Sequence, residues 1–237
     1  MLVAAAVCPC PPLLVPDVAA GAAPELDAAR TACTDALGVL AASRPDLLIV
    51  IGPADLAGRG SHPEGATGSF KEFGVDLRVR LGRDLDTVAG RPLPASLAVG
   101  AWLLARTGWA DAPVEALGVG ESLEAARCAD AGRALAARAD RVALLVMGDG
   151  SACRTLKAPG YLDERATEFD AAAARALGAA DTGALTALDE ALARELKAAG
   201  RAPWQVLAGA AEGAGLDGRL LYDDAPYGVG YLVAAWS

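Results

Sequence analysis

Apolar residues along the chain fall into two rhythms. Short runs that are apolar almost throughout occur at Leu2 to Val7, at Asp46 to Ile51 (DLLIVI) and at Arg141 to Met147 (RVALLVM). Runs of this kind read as strands buried on both faces of a sheet. Val114 to Val119 adds a shorter strand, and Val75 to Leu81 alternates like a strand with one exposed face. Other stretches repeat their apolar positions at helical spacing. Pro24 to Leu40 aligns Leu26, Ala29, Cys33 and Leu37 on one face, and Ala95 to Thr107 follows Pro92 and Pro94. Ser122 caps a helix to about Ala139. Helices are also predicted over Glu164 to Leu177, Thr182 to Ala199 and Trp204 to Ala214, the last with Pro203 as a start signal. Leu220 to Tyr222 and Gly230 to Trp236 close the chain as strands around Pro226-Tyr-Gly-Val-Gly230. The polar, glycine-rich stretch Leu56 to Gly74 reads as a long loop.

Strands alternating with helices predict an α/β fold: one domain over residues 1–237, with a mainly parallel or mixed central sheet and helices on both faces. No linker or internal repeat divides the chain. Ligands of such sheets bind beyond the carboxyl ends of the strands. Three loops leave strands at that end, Cys8 to Pro12, Gly52 to Asp55 and Gly148 to Cys153, and they are the expected walls of a pocket.

Composition narrows the classes. Hydrophobic residues make up 54% and charged residues 22%, and 237 residues bury enough surface to fold without disulfides or metals. Alanine, glycine, proline and arginine are abundant and lysine occurs only at Lys71, Lys157 and Lys197, the codon bias of a GC-rich bacterial genome. The net charge of −9, with no Arg or Lys cluster free of acids, argues against nucleic acid as a partner. Cys8, Cys10, Cys33, Cys128 and Cys153 are odd in number and irregular in spacing, so reduced thiols in a cytoplasm are the simpler reading. Met1 to Val7 reads as a buried strand and not a signal peptide, and no apolar run reaches the ~18 residues that span a bilayer, so no membrane partner is expected.

Four segments carry a resemblance: Cys-Pro-Cys-Pro-Pro-Leu-Leu-Val-Pro (8–16), Leu-Ile-Val-Ile-Gly-Pro-Ala (48–54), Met-Gly-Asp-Gly-Ser-Ala (147–152) with Glu168-Phe169-Asp170 behind it, and Pro-Tyr-Gly-Val-Gly-Tyr (226–231). In this order, each at a strand end, they resemble the class III extradiol ring-cleavage dioxygenases in their LigB-type catalytic subunit. The resemblance implies a LigB-like α/β fold. In that family two histidines and a carboxylate hold Fe(II), leaving open sites for substrate and O₂. The position matching the first ligand histidine is Cys10, and that matching the second is Ala54. The acid–base histidine position is Ala152. The carboxylate ligand is expected on the helix at Leu207 to Glu212, with Glu212 the nearest acid. Three histidines are thus missing, which implies a scaffold without iron and without ring cleavage.

The remaining readings follow from single residues. The lone histidine, His62, lies in a polar loop and reads as an exposed loop residue, with a base over a pocket as its functional alternative. Cys8, Cys10 and Cys153, with Asp55 or Asp149, would hold a zinc ion if their loops converge, with iron the other metal considered. The bland reading is three small buried hydrophobes and no cofactor. A redox role for Cys10 needs a lowered pKa. Asp149 and Ser151 read equally as ligand-binding groups and as turn or cap residues. Gly118-Val-Gly-Glu-Ser122 lacks the third glycine of a dinucleotide loop and reads as a tight turn, and Gly-Asp-Gly-Ser-Ala is no nucleophile elbow. The pocket is expected to be lined by Cys8, Cys10, Ala54, Asp55, Asp149, Ser151, Ala152, Cys153 and Glu212, with no catalytic residue assigned. The favoured function is a non-catalytic scaffold that binds a small molecule or a protein partner. Alternatives are a divergent metal- or thiol-dependent enzyme using Cys10 and nearby acids, and a structural subunit of a homodimer or of an assembly with a related subunit.

Overall fold

The computed structural model describes residues 1–84 and 90–237. Nine strands and eight α-helices are seen among the described residues. The strands are β1 (Leu2–Cys8), β2 (Leu47–Pro53), β3 (Gly60–His62), β4 (Thr67–Ser69), β5 (Arg78–Arg80), β6 (Val114–Val119), β7 (Val142–Met147), β8 (Gly218–Asp224) and β9 (Tyr231–Trp236). The helices are α1 (Pro16–Ala19), α2 (Asp27–Ala42), α3 (Ala95–Thr107), α4 (Ala125–Ala136), α5 (Arg165–Gly178), α6 (Thr182–Thr186), α7 (Glu190–Glu195) and α8 (Arg201–Ala210).

Seven strands form one mixed sheet in the order β3-β6-β2-β7-β1-β9-β8, and β4 and β5 pair separately. The four central strands, β6, β2, β7 and β1, run parallel; β3, β9 and β8 join antiparallel. The apolar runs explain the order. Leu47, Ile49 and Ile51 of β2 and Val142, Leu144 and Val146 of β7 point into one core, under α4, α5 and α8. Their alternates Leu48, Val50, Ala143, Leu145 and Met147 point into a second core with α2 and α3. A strand covered on both faces has no polar side to show, so these strands are apolar throughout.

Several expectations need correction. The stretch 56–74 is not a long loop: it contains β3, β4 and a short 3₁₀ turn at Lys71–Phe73. The strand expected over 75–81 is only Arg78–Arg80. The helix expected over 182–199 is two, because the Asp189 carboxylate accepts from the N–H groups of Ala191 and Leu192 and starts α7 afresh. Ser122 caps nothing; α4 begins after Glu124. The last long helix starts at Arg201, with Pro203 in its first turn, where a missing N–H costs no intrahelical bond.

Candidate functional site

The connections decide where a crevice opens. From β2 the chain leaves, by way of β3 and the β4–β5 hairpin, for α3 on one face, while from the neighbouring β6 it leaves for α4 on the other. Adjacent parallel strands whose connections part to opposite faces leave a gap beyond their carboxyl ends. Here the gap holds two adjoining cavities. One, of about 430 Å³, lies on the α3 side, where Cys10, Pro53, Phe73, Leu93, Pro94 and Ser96 are among the walls. The other, of about 360 Å³, lies on the α8 side, with Arg59, Ser122, Arg194 and Arg201 among its walls. Ala54, Asp55 and Glu121 line both.

Local contacts build these walls. The Ala54 N–H donates to the Val119 carbonyl at 2.8 Å, which ties the ends of β2 and β6 together. Asp55 turns the chain by accepting from the Gly58 N–H at 2.9 Å. The returning strand passes so close to β6 that a Cβ on Gly118 would sit 2.2 Å from the Gly58 carbonyl oxygen. A Cβ on Gly120 would meet the Arg59 guanidinium at 2.7 Å. The two glycines of 118–122 therefore admit the 58–59 backbone and an arginine. Gly120 does open a tight turn, its carbonyl accepting from the Leu123 N–H at 3.0 Å, while Gly118 stays within β6.

Behind Cys10, its N–H donates to the Asp149 carboxylate at 2.8 Å. Burial pushes the Asp149 carboxyl up to about 7, and the Cys10 N–H pulls against that rise. Burial, then the charges of Asp149 and Glu121, raises the Cys10 thiol well above its ordinary value. The cavity thus offers a protonated thiol and the carboxylates of Asp55 and Glu121.

Of the nine residues expected at the pocket, Cys10, Ala54 and Asp55 line it. Asp149 stands behind Cys10. Cys8 is buried in the α2-side core, where a hydrogen bond with the Cys33 thiol, ahead of burial, raises its pKa. Ser151 is fully buried: its N–H and its hydroxyl each donate to Asp170 at 2.7 Å, and Arg154 pairs with the same carboxylate at 3.0 Å. The Ser151 side chain is therefore spent on Asp170 and caps no helix. Ala152 lines neither cavity, and its N–H donates to the Leu196 carbonyl at 2.8 Å. Cys153 packs in the opposite core from Cys8 and Cys10, with its thiol 3.4 Å from the Leu196 carbonyl. Glu212 lies past the far end of α8, about 15 Å of helix from Arg201, and pairs with Arg133 at 2.7 Å.

His62 is no exposed loop residue. It ends the edge strand β3, is 1% exposed, and lies with Nε2 2.8 Å from the Gly58 carbonyl while Nδ1 has no partner. Among the residues that sequence reasoning missed at the cleft, Glu121 carries a signal, since it follows a parallel strand as the three chosen loops do. Arg201 carries none, because its place depends on how α8 packs.

The three cysteines of the zinc alternative do not converge. Among the described residues no three His, Cys, Asp or Glu side chains are grouped to hold a metal ion. The donor set of an Fe(II) site with two imidazoles and a carboxylate does not fit these walls either: the one histidine, His62, lines neither cavity, and Glu212 is tied to Arg133 elsewhere.

Among the described residues no helix is long and apolar enough to cross a membrane. No family model and no curated protein matches the chain. Among solved structures it is similar to an uncharacterised protein from Escherichia coli K12, at 16% identity over 99% of each chain with a TM-score of 0.55. A likeness at that identity establishes the shared fold and leaves the chemistry to the site itself.

Proposed function

We propose that this chain is a small-molecule-binding protein on a scaffold resembling the LigB-type dioxygenases, and that it does not open aromatic rings. One observation carries the reading. The positions that the resemblance assigns to two iron-binding histidines are Cys10 and Ala54, and both open on the same cavity, whose walls include no imidazole. The cavity keeps the place of a ligand site at the carboxyl ends of parallel strands but lacks the donors for iron. The thiol-enzyme alternative draws no support from Cys10, because burial and two nearby carboxylates favour its protonated, unreactive form.

The test is turnover. The purified protein, supplied with Fe(II), O₂ and catechol or protocatechuate, is expected to give no yellow ring-fission product, and appearance of that product overturns the reading. Elemental analysis after anaerobic purification provides a second check. Near-stoichiometric zinc or iron that is lost in Cys10→Ala would return the metal-dependent alternative.

A further inference from the structure

Arginine gathers where the rest of the chain is acidic. Arg59, Arg194 and Arg201 all line the α8-side cavity, in a protein of net charge −9. Arg201 is the unusual one, because only 2% of its surface is exposed. Its guanidinium donates to the carbonyls of Glu121 and Leu123 and, at 2.9 Å, to the Gln205 amide oxygen. All three acceptors are neutral. Its Nε–H is buried with no partner. None of the ion pairs among the described residues includes Arg59, Arg194 or Arg201. Glu121 and Asp55 line the same cavity without reaching any of the three, and Asp55 is already engaged by the Gly58 N–H. A buried guanidinium without a counter-charge is costly, and its planar fork fits a carboxylate or phosphate. Next door the lining changes character: Phe73, Leu93, Pro94 and Ala95 give the α3-side cavity an apolar wall.

We infer that the α8-side cavity is the subsite for the anionic group of a small organic acid, a carboxylate or a phosphate, whose uncharged body lies in the adjoining cavity against Phe73, Leu93 and Pro94. The inference rests on the reading of this cleft as a small-molecule site. Arg201 holds the anion from below while Arg59 and Arg194, both exposed, close on it from the rim.

Calorimetry and amide chemical shifts of the full chain, titrated with phenylacetate, with its uncharged counterpart phenylacetamide and with inorganic phosphate, test this. Phenylacetate is expected to bind at least about tenfold more tightly than phenylacetamide, more weakly as salt rises, with shifts at Glu121 to Leu123 and at Ala54 to Arg59. Phosphate should move the same amides. Because Arg201 also holds backbone carbonyls, the decisive variants are the exposed ones. Arg59→Gln combined with Arg194→Gln should weaken phenylacetate about tenfold and leave phenylacetamide unchanged, with an unaltered circular dichroism spectrum. Equal affinity for acid and amide overturns the anion subsite and leaves the cleft reading standing. A panel of uncharged fragments that shifts no amide of the cleft, alongside silent anions, overturns both.

Discussion

The backbone N–H of Cys10 and the carboxylate of Asp149 are joined by a 2.8 Å hydrogen bond across 139 residues of chain, linking the loop after β1 to the loop after β7. That bond closes the back of the cleft, and it places an acid where burial disfavours its charge.

The sign of the pH dependence follows. Burial raises the Asp149 carboxyl from its ordinary 3.8 to about 7. Between those values the folded state holds a proton that the unfolded state has released, so this group's contribution to stability declines as pH rises from about 4 to about 7 and is level above that. Asp149→Asn keeps an acceptor for the Cys10 N–H and carries no charge. It is expected to be more stable than the wild type by about 1–3 kcal/mol at pH 8, since a tenfold change in proton affinity is worth about 1.4 kcal/mol. The difference should vanish near pH 4. Urea unfolding at both pH values measures it, and equal stability at pH 8 refutes the account.

Ser151 and Asp170 form the second tie behind the site. Asp170 is 1% exposed and accepts from the Ser151 N–H, the Ser151 hydroxyl and Arg154. Asp170→Ala leaves a buried N–H unmade and an arginine unpaired, and is expected to cost about 3–5 kcal/mol, against about 1–2 kcal/mol for Ser151→Ala. The double variant should fall short of the sum, because the two residues share a bond. Strict additivity in a denaturation cycle would contradict the geometry.

The cysteines give a chemical readout. All five are buried, and Cys10 alone among them lines either cavity of the cleft. Folded protein near pH 8 is expected to react slowly with a disulfide reagent, Cys10 first, while unfolded protein reacts at all five. Removing the Asp149 charge lowers the Cys10 pKa, so Asp149→Asn should speed labelling of Cys10 several-fold. Mass spectrometry of partly labelled protein identifies the site, and fast labelling of the wild type at Cys10 would restore a redox role.

Helices α4 and α8 meet through glycine. A Cβ on Gly132 would lie 2.0 Å from the Val206 carbonyl oxygen, and one on Gly209 would lie 2.3 Å from the Ala129 carbonyl oxygen. Backbone atoms cannot turn aside, so Gly132→Ala and Gly209→Ala are each expected to cost about 1–3 kcal/mol despite alanine's better helix propensity. A thermal melt that rises for either would show that the helices part freely.

The runs at 47–51 and 142–147 announced their burial on both faces, because alternation disappears when neither face meets water. Helix α3 was legible to its last residue, since Pro94 precedes it and Gly108, at φ +66°, stops it. His62 was misread because local polarity describes a loop, whereas its burial comes from pairing with β6, a partner about 50 residues away. The wall of Cys10, Ala54 and Asp55 could be placed beforehand, because a parallel sheet sends its strand ends to one edge. Ala152, Cys153 and Glu212 could not, as their direction depends on how the 148–163 segment and α8 pack.

The sequence by itself determined the α/β class, the central strands, the crevice edge and the lack of imidazole at the three positions where the resemblance expects it. These follow from hydrophobic period and residue identity, which are local properties. Only the tertiary structure decided that Arg201, buried without a counter-charge, lines that crevice beside Glu121. Its place there depends on α8 packing against α4 through Gly132 and Gly209, and a contact between elements some 70 residues apart leaves no periodic trace in the chain.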